Sequence, residues 1–377
     1  MVHIIISFLF YNLLLIIFYR HYKKGDYYIN KSDLFFYTIL LIAFGTYGGG
    51  EGDYLHYKKA VENIHSLADV FYYTGMEVQY YYLAYLSEGS YTLWRFFIFS
   101  IQFFGLGWFL YKAKLNTYPI LLTFTSLFLV TSVYGRVYWG VIYFFMGCYL
   151  LIEKKNPLYL FAIGLCYVSH TSNLILIVLL PFAFIDLKKW HLLLIILLFG
   201  SIVTLFNDYF KQFLNSGGID GADYLYYKVN SYSNSTAYVR KYFGQSIGEM
   251  IIFLLRYVPI LLFLCVLLIN FSSSNKSKES RFIIKYKQIY KPIRGVLNVF
   301  CGLIIASFVF LFAEMNNGAY FYRVLAMALF PVSIILPYMA KIKIIKKQTF
   351  NIFIFLFLFA TEANYMKDIY YAYVAGI

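Results

Sequence analysis

The chain has 377 residues, of which 61% are hydrophobic and only 13% charged. Soluble domains run at about 45–50% apolar and about 25% charged, so this composition excludes a soluble globular fold. It predicts an all-α polytopic membrane protein, because only a bundle of spans hides so much apolar side chain with every backbone group bonded. The net charge of +14 would suggest nucleic acid in a soluble protein, but here basic loops that stay on one side of a membrane account for it.

Twelve apolar runs of spanning or near-spanning length follow one another, at 3–19, 33–48, 91–111, 117–132, 135–152, 158–169, 171–185, 190–206, 248–271, 294–313, 322–340 and 349–366. The expectation is about 12 transmembrane helices, some short or re-entrant, in a single integral membrane domain covering 1–377. The first run lacks a basic leader and a small-residue cleavage site, which reads as a retained span. Segments 20–33, 112–114, 153–156, 186–189, 272–294 and 341–347 carry 21 of the 32 Lys and Arg and five acids. These basic turns alternate without a break. They place both termini outside the cytoplasm, the basic loop 272–293 inside it, and loops 49–90 and 207–247 on the extracytoplasmic side. Within the first long loop, Ala60–Tyr72 and Met76–Tyr85 read as local helices.

Residues 158–185 have basic flanks on the same side, yet only about 28 residues lie between them. Two helices of about 13 residues would reach about 20 Å each, short of the roughly 30 Å hydrocarbon core. Their turn, Ser169-His170-Thr171-Ser172-Asn173, would then line a recess below the outer surface, with Thr-Ser-Asn capping the second helix. One long tilted span with His170 at its middle is the alternative.

Polar residues that this topology puts on the outer side come from all parts of the chain: Asp53, Glu77, Arg95, Arg136, His170, Arg240, Glu249, Arg256, Glu314 and Arg323. An ionisable group within a span is costly and marks a functional candidate. Arg136 opens an apolar helix, with Gly147 three turns on and on the same face, where another helix could approach closely. Its five-donor fork suits phosphate oxygens. A snorkelling Arg136, a packing His170, a Glu314–Arg323 pair and a Glu249–Arg256 pair are the plain structural alternatives. The glycines before Asp53 lack the strand and the Lys-Ser/Thr of a nucleotide loop. Cys148, Cys166, Cys265 and Cys301 fall in apolar runs without metal-type spacing, so neither disulfide framework nor metal site is expected.

Taken in order, EGDYLHY (51–57), MEVQYYYLAYL (76–86), GRVYWGVIYFFMG (135–147), VSHTSNLILIVLLPF (168–182) and YFYRVLAMALFP (320–331) resemble the EpsG family. That family is similar to the Wzy O-antigen and capsule polymerases. Arg136 to Gly147 fits the Arg-x10-Gly element of Wzy-type enzymes, whereas Arg240 and Arg323 do not, and Val137 stands where the family often has a polar residue. The resemblance implies a cofactor-free, metal-independent glycosyltransferase of a bacterial cytoplasmic membrane, acting on the extracytoplasmic side. It would move a glycan from polyprenyl pyrophosphate to the non-reducing end of a lipid-linked repeat unit. Arg136, His170, Arg323 and Asp53 would be catalytic, with Arg240, Arg256, Glu77, Tyr54 and Glu314 binding substrate. Partners would be the lipid-linked donor and acceptor, membrane lipid, a flippase and a chain-length regulator, and no nucleic acid. A lipid-linked oligosaccharide flippase and an O-antigen ligase are the competing readings.

Overall fold

The computed structural model describes residues 2–26, 28–48, 54–72, 76–134, 136–154, 159–170, 173–185, 197–198, 257, 260, 263, 289–313 and 318–374. Among the described residues the secondary structure is helical throughout. In chain order the helices are α1 (Val2–Lys24), α2 (Lys31–Tyr47), α3 (Tyr54–Glu62), α4 (Leu67–Tyr72), α5 (Val78–Leu86) and α6 (Tyr91–Ala113). There follow α7 (Thr117–Phe124), a π-helical segment Thr125–Leu129, α8 (Val130–Tyr134), α9 (Arg136–Lys154), α10 (Leu160–Ser169) and α11 (Leu174–Leu179) with a 3-10 turn Leu180–Ala183. The last four are α12 (Lys291–Ala313), α13 (Gly318–Met327), α14 (Leu329–Lys341) and α15 (Lys347–Val374).

Ten of the twelve expected spans coincide with these helices, and 190–206 and 248–271 lie essentially outside the described residues, as does loop 207–247. Among the described residues, five segments are long and apolar enough to cross a membrane: Ile4–Lys24, Tyr91–Ala113, Lys291–Val309, Arg323–Lys341 and Lys347–Lys367. Burial sorts them into layers. Every residue of α7 is buried, as are nearly all of α14, so these form the centre, while α1 and α15 leave much of their surface outward. A helix apolar on all faces has no preference between lipid and core, so its neighbours decide. Here α7 packs against α1 and α14, and α9 packs against α6, α10 and α12.

Polar groups mark the helix ends. Asn30 accepts the Asp33 N–H at 2.7 Å and opens α2; Ser90 accepts the Leu93 N–H at 3.4 Å and opens α6. Lys114, in the left-handed region at φ 49°, ends α6. Inside the bundle the π segment frees the Ser126 carbonyl, which accepts the Thr361 hydroxyl of α15 at 2.9 Å.

Among the described residues, parts of several basic segments meet at one end of the bundle. Lys341 Nζ donates to Tyr28 Oη at 2.9 Å, Tyr22 Oη donates to Asn351 at 3.0 Å, and His21 stacks on Tyr118 at 4.2 Å. At the same end the Tyr290 N–H donates to Tyr338 Oη at 3.1 Å, and the Tyr149 ring lies 6.2 Å from that of Tyr290.

In the first long loop the expected helix Ala60–Tyr72 is broken in two. Ser66 Oγ accepts the Asp69 N–H at 3.3 Å, while the Asp69 carboxylate accepts the N–H of Ser66 at 2.7 Å and of His65 at 3.0 Å. This reciprocal cap starts a new helix at Leu67 and stops the previous one. The second expected helix is present as α5.

Candidate functional site

Residues 159–170 and 173–185 form two short helices, the first of the two arrangements expected from the flanking charges. Both outer ends turn to the basic end: Tyr159 contacts the ring of Trp108 late in α6, and the Asn298 amide donates to Phe182 O at 3.1 Å and Ile185 O at 2.7 Å. Their inner ends meet at His170, whose backbone is extended (φ −168°, ψ 136°) and breaks α10. Its carbonyl accepts the Asn173 N–H at 2.9 Å.

Two glycines of α9 fix the depth of this turn. A Cβ on Gly147 would sit 2.8 Å from Ile163 and 3.1 Å from Tyr159 O, so α10 runs in close contact there, as the Arg136–Gly147 spacing anticipated. A Cβ on Gly140 would collide with Asn173 and lie 2.7 Å from Cys166 O. The turn therefore rests at Gly140, four residues and about 6 Å of helical rise from Arg136. Arg136 is the first residue of α9, as expected.

The helix α5 straps the same place from outside. Gln79 donates to Val168 O, Tyr80 Oη donates to Ser169 O at 3.1 Å, and the Trp94 indole donates to Tyr80 O at 2.9 Å. Glu77, half-buried, occupies the N-cap position of α5 without capping it. Arg323, also half-buried, lies within α13, which packs on α12 and touches α9. Thus α9, which carries Arg136, is in contact with the elements that lead to His170 and carry Arg323. Tyr54 opens α3. Asp53, Arg240, Arg256, Glu249 and Glu314 lie outside the described residues.

Arg95, one of the polar residues expected on the outer side, is engaged within the fold: it is 5% exposed, donates to the carbonyls of Gly45 and Gly48, and lies between the rings of Tyr91 and Phe99. One expectation is corrected. Asn173 does not cap α11 with its side chain; its amide turns back to donate to Cys166 O at 3.0 Å, because the turn is pressed against Gly140.

Two polar side chains near this turn, Gln102 and Trp139, were missed in the sequence, and they share a feature with Asn173 of the turn itself. Both amide atoms of Gln102, the indole N–H of Trp139 and Asn173 Oδ1 are buried without a hydrogen-bond partner. Each such group costs about 1–3 kcal/mol. The signal for Gln102 was its place in the middle of an apolar span, which a search restricted to ionisable residues passes over. Outside the spans, the backbone N–H groups of His65 and Ser66 hold the Asp69 carboxyl below its ordinary range. Among the described residues, no group of three or more His, Cys, Asp or Glu is placed to hold a metal ion.

Fold and site together define a multi-pass helical membrane protein, its basic turns gathered at one end and a strapped helical hairpin reaching toward the other. The profile of the EpsG family matches residues 32–374, nearly the whole chain. The chain belongs to the EpsG family, a group of polysaccharide polymerase-like membrane proteins. No curated protein and no solved structure matches it.

Proposed function

We propose that the chain is a polysaccharide polymerase at the extracytoplasmic face of a bacterial cytoplasmic membrane. It transfers a glycan from polyprenyl pyrophosphate to the non-reducing end of a second lipid-linked repeat unit. The observation that carries this reading is the seating of the His170 turn against Gly140, one helical turn from Arg136, in a chain of the EpsG family.

In this scheme the acceptor hydroxyl attacks the anomeric carbon of the donor. The bond from that carbon to the pyrophosphate oxygen breaks, and its electron pair leaves with the pyrophosphate. Arg136 and Arg323 neutralise the charge that develops there, since preorganised cations in a low-dielectric site are among the larger catalytic effects. His170 contacts the pyrophosphate or takes the hydroxyl proton, and Asp53 orients or deprotonates the acceptor. Glu77, Tyr54, Arg240, Arg256 and Glu314 bind the glycans around them. Cationic side chains serve here in place of a metal ion, the carrier enters from the bilayer, and a flippase and a chain-length regulator act beside the enzyme.

A flippase is the second reading, and Glu362, an ionisable residue within the apolar segment Lys347–Lys367, favours it. Purified protein in liposomes, given a lipid-linked repeat unit, separates the two. A ladder of lengthening chains is the expected result. Translocation of the repeat unit without chain growth overturns the proposal, and transfer to a different acceptor lipid points to a ligase.

A further inference from the structure

Three of the apolar spanning segments close on a lysine at the basic end of the bundle: Ile4–Lys24, Arg323–Lys341 and Lys347–Lys367. Two of those ammonium groups are held over tyrosine rings from the other end of the chain. Lys341 Nζ lies 5.1 Å from the centroid of the Tyr28 ring and donates to its hydroxyl at 2.9 Å, and Lys347 Nζ lies 5.5 Å from the centroid of the Tyr22 ring. Tyr22 is itself fixed, its hydroxyl on Asn351 and its ring 5.3 Å from that of Phe350. The turn between α14 and α15 closes tightly, with the Ile344 N–H on Met339 O at 3.0 Å and Ile345 buried beneath it. Lys343 and Lys346 are exposed on the same turn.

These cations lack a counter-charge. Among the described residues, neither Lys341 nor Lys347 is paired with a carboxylate. Asp26 binds His21 Nδ1 at 2.9 Å, and Asp33 accepts the Asn30 amide at 2.9 Å. An ammonium has three N–H donors, so Lys341 keeps two beyond its bond to Tyr28. The general excess of Lys and Arg on one side of a membrane explains why lysines stand here, but not why two of them are ordered over aromatic rings. That ordering lowers the entropy lost when an anion binds.

Depth and surroundings select the anion. A residue that closes an apolar span lies at the level of the lipid headgroups. Beside the lysines, α1 and α15 pack together and turn apolar side chains outward, with Ile16 63%, Ile352 59% and Phe355 65% exposed. Ile352 and Phe355 follow Lys347 by about 8 and 12 Å of helical rise, within reach of the upper part of an acyl chain. A soluble anion would use the lysines and leave this strip bare, whereas a phospholipid uses both.

We propose that Lys341 and Lys347 seat the phosphate of an anionic phospholipid whose acyl chains run along the α1–α15 seam. The site is separate from the proposed reaction and stands whatever chemistry the chain performs.

The test uses full-length protein stripped of lipid in a neutral detergent. It is titrated with phosphatidylglycerol or phosphatidylcholine of the same acyl chains, and bound lipid is counted by native mass spectrometry. Wild type is compared with Lys341→Gln/Lys347→Gln and with Lys112→Gln/Lys114→Gln, which removes the same charge from two exposed lysines at the end of α6. Thermal midpoints are recorded for each, and Lys347→Gln alone stands in if the first double variant fails to fold. Wild type should prefer phosphatidylglycerol. Its affinity should fall about 30-fold in the first double variant, roughly fivefold for each lysine at an anionic headgroup, and stay within about twofold in the second. Equal affinity for the two lipids, or an equal loss in the two double variants, overturns the proposal. So does a soluble glutamate-rich peptide that displaces phosphatidylglycerol at equal concentration, which would give the surface to an acidic protein.

Discussion

The Arg95 guanidinium on α6 donates to the main-chain carbonyls of Gly45 and Gly48, so one helix supplies the C-terminal cap of another. The last carbonyls of a helix have no intrahelical partner, and in a membrane they have little water to turn to. Gly48 itself follows the helix in an extended conformation, its N–H bonded to Phe44 O at 2.7 Å. The cation is therefore a structural element of the α2–α6 pair.

Arg95→Ala is expected to lower stability by about 1.5–3 kcal/mol for each charge-assisted bond removed. Arg95→Lys should recover only part, because an ammonium lacks the planar fork that reaches two carbonyls. Thermal unfolding in detergent, followed by size-exclusion chromatography, reads the effect. An alanine variant with the wild-type midpoint would refute the capping role.

Gly140 and Gly164 provide a contrast within one pair of packed helices. A Cβ at Gly140 meets Asn173 and Cys166 O, whereas a Cβ at Gly164 meets nothing within 4 Å. Gly140→Ala should push the His170 turn away from α9 at a cost of about 1–3 kcal/mol, the usual range for overpacking. Chain growth should fall with it, while Gly164→Ala remains close to wild type. Equal polymer yields from the two variants would detach the turn from the activity.

Asp69 gives a pH dependence whose sign follows from its cap. The bonds from the His65 and Ser66 N–H groups lower its folded pKa below the unfolded value. The stabilisation of α4 is thus complete above the unfolded pKa, near about 3.9 for a free aspartate, and is lost as pH falls through the folded value. Hydrogen exchange of the α4 amides should show protection that Asp69→Asn weakens at neutral pH. Identical protection in the two proteins would remove the cap from the account.

The meeting of the basic turns predicts which residues share a side. Lys346 and Asn63 are both exposed and belong to opposite ends of the bundle. With the basic end inside, Asn63→Cys should react with an impermeant maleimide in intact cells and Lys346→Cys only after permeabilisation. The reverse pattern would invert the orientation and with it the proposed site of polymerisation.

What the sequence disclosed was the punctuation of the chain. Apolar run lengths and Lys/Arg clusters located ten helices and sorted their ends, because burial and charge leave their mark at each residue. The Ser66-x-x-Asp69 cap was also legible, though the expected helix Ala60–Tyr72 ran through it. The engagement of Arg95 was not legible because its partners lie on a helix some 50 residues away, and only packing reveals them. Asn173 was misjudged for a related reason: contact with Gly140 outweighs its local preference for capping. Gln102 was overlooked because its significance lies in missing partners, which no sequence displays.

Arg136 bears the greatest weight in the proposed chemistry, and its place in the fold makes the decisive variant a clean one. It is the first residue of α9, one helical turn before the contact of Gly140 with α10. Arg136→Ala should retain the wild-type midpoint while chain growth drops by about 10²–10³-fold, the range for losing one preorganised donor at a developing charge. Single lipid-linked repeat units should then accumulate, since their supply does not depend on this enzyme. Arg136→Lys should fall between, keeping the charge but losing the bidentate grip on pyrophosphate. Electrophoresis of the extracted glycan, run beside an immunoblot for the protein, gives both readings at once. A normal ladder from a stably expressed alanine variant would take Arg136 out of the mechanism and shift the search for the pyrophosphate site toward Arg323 and His170.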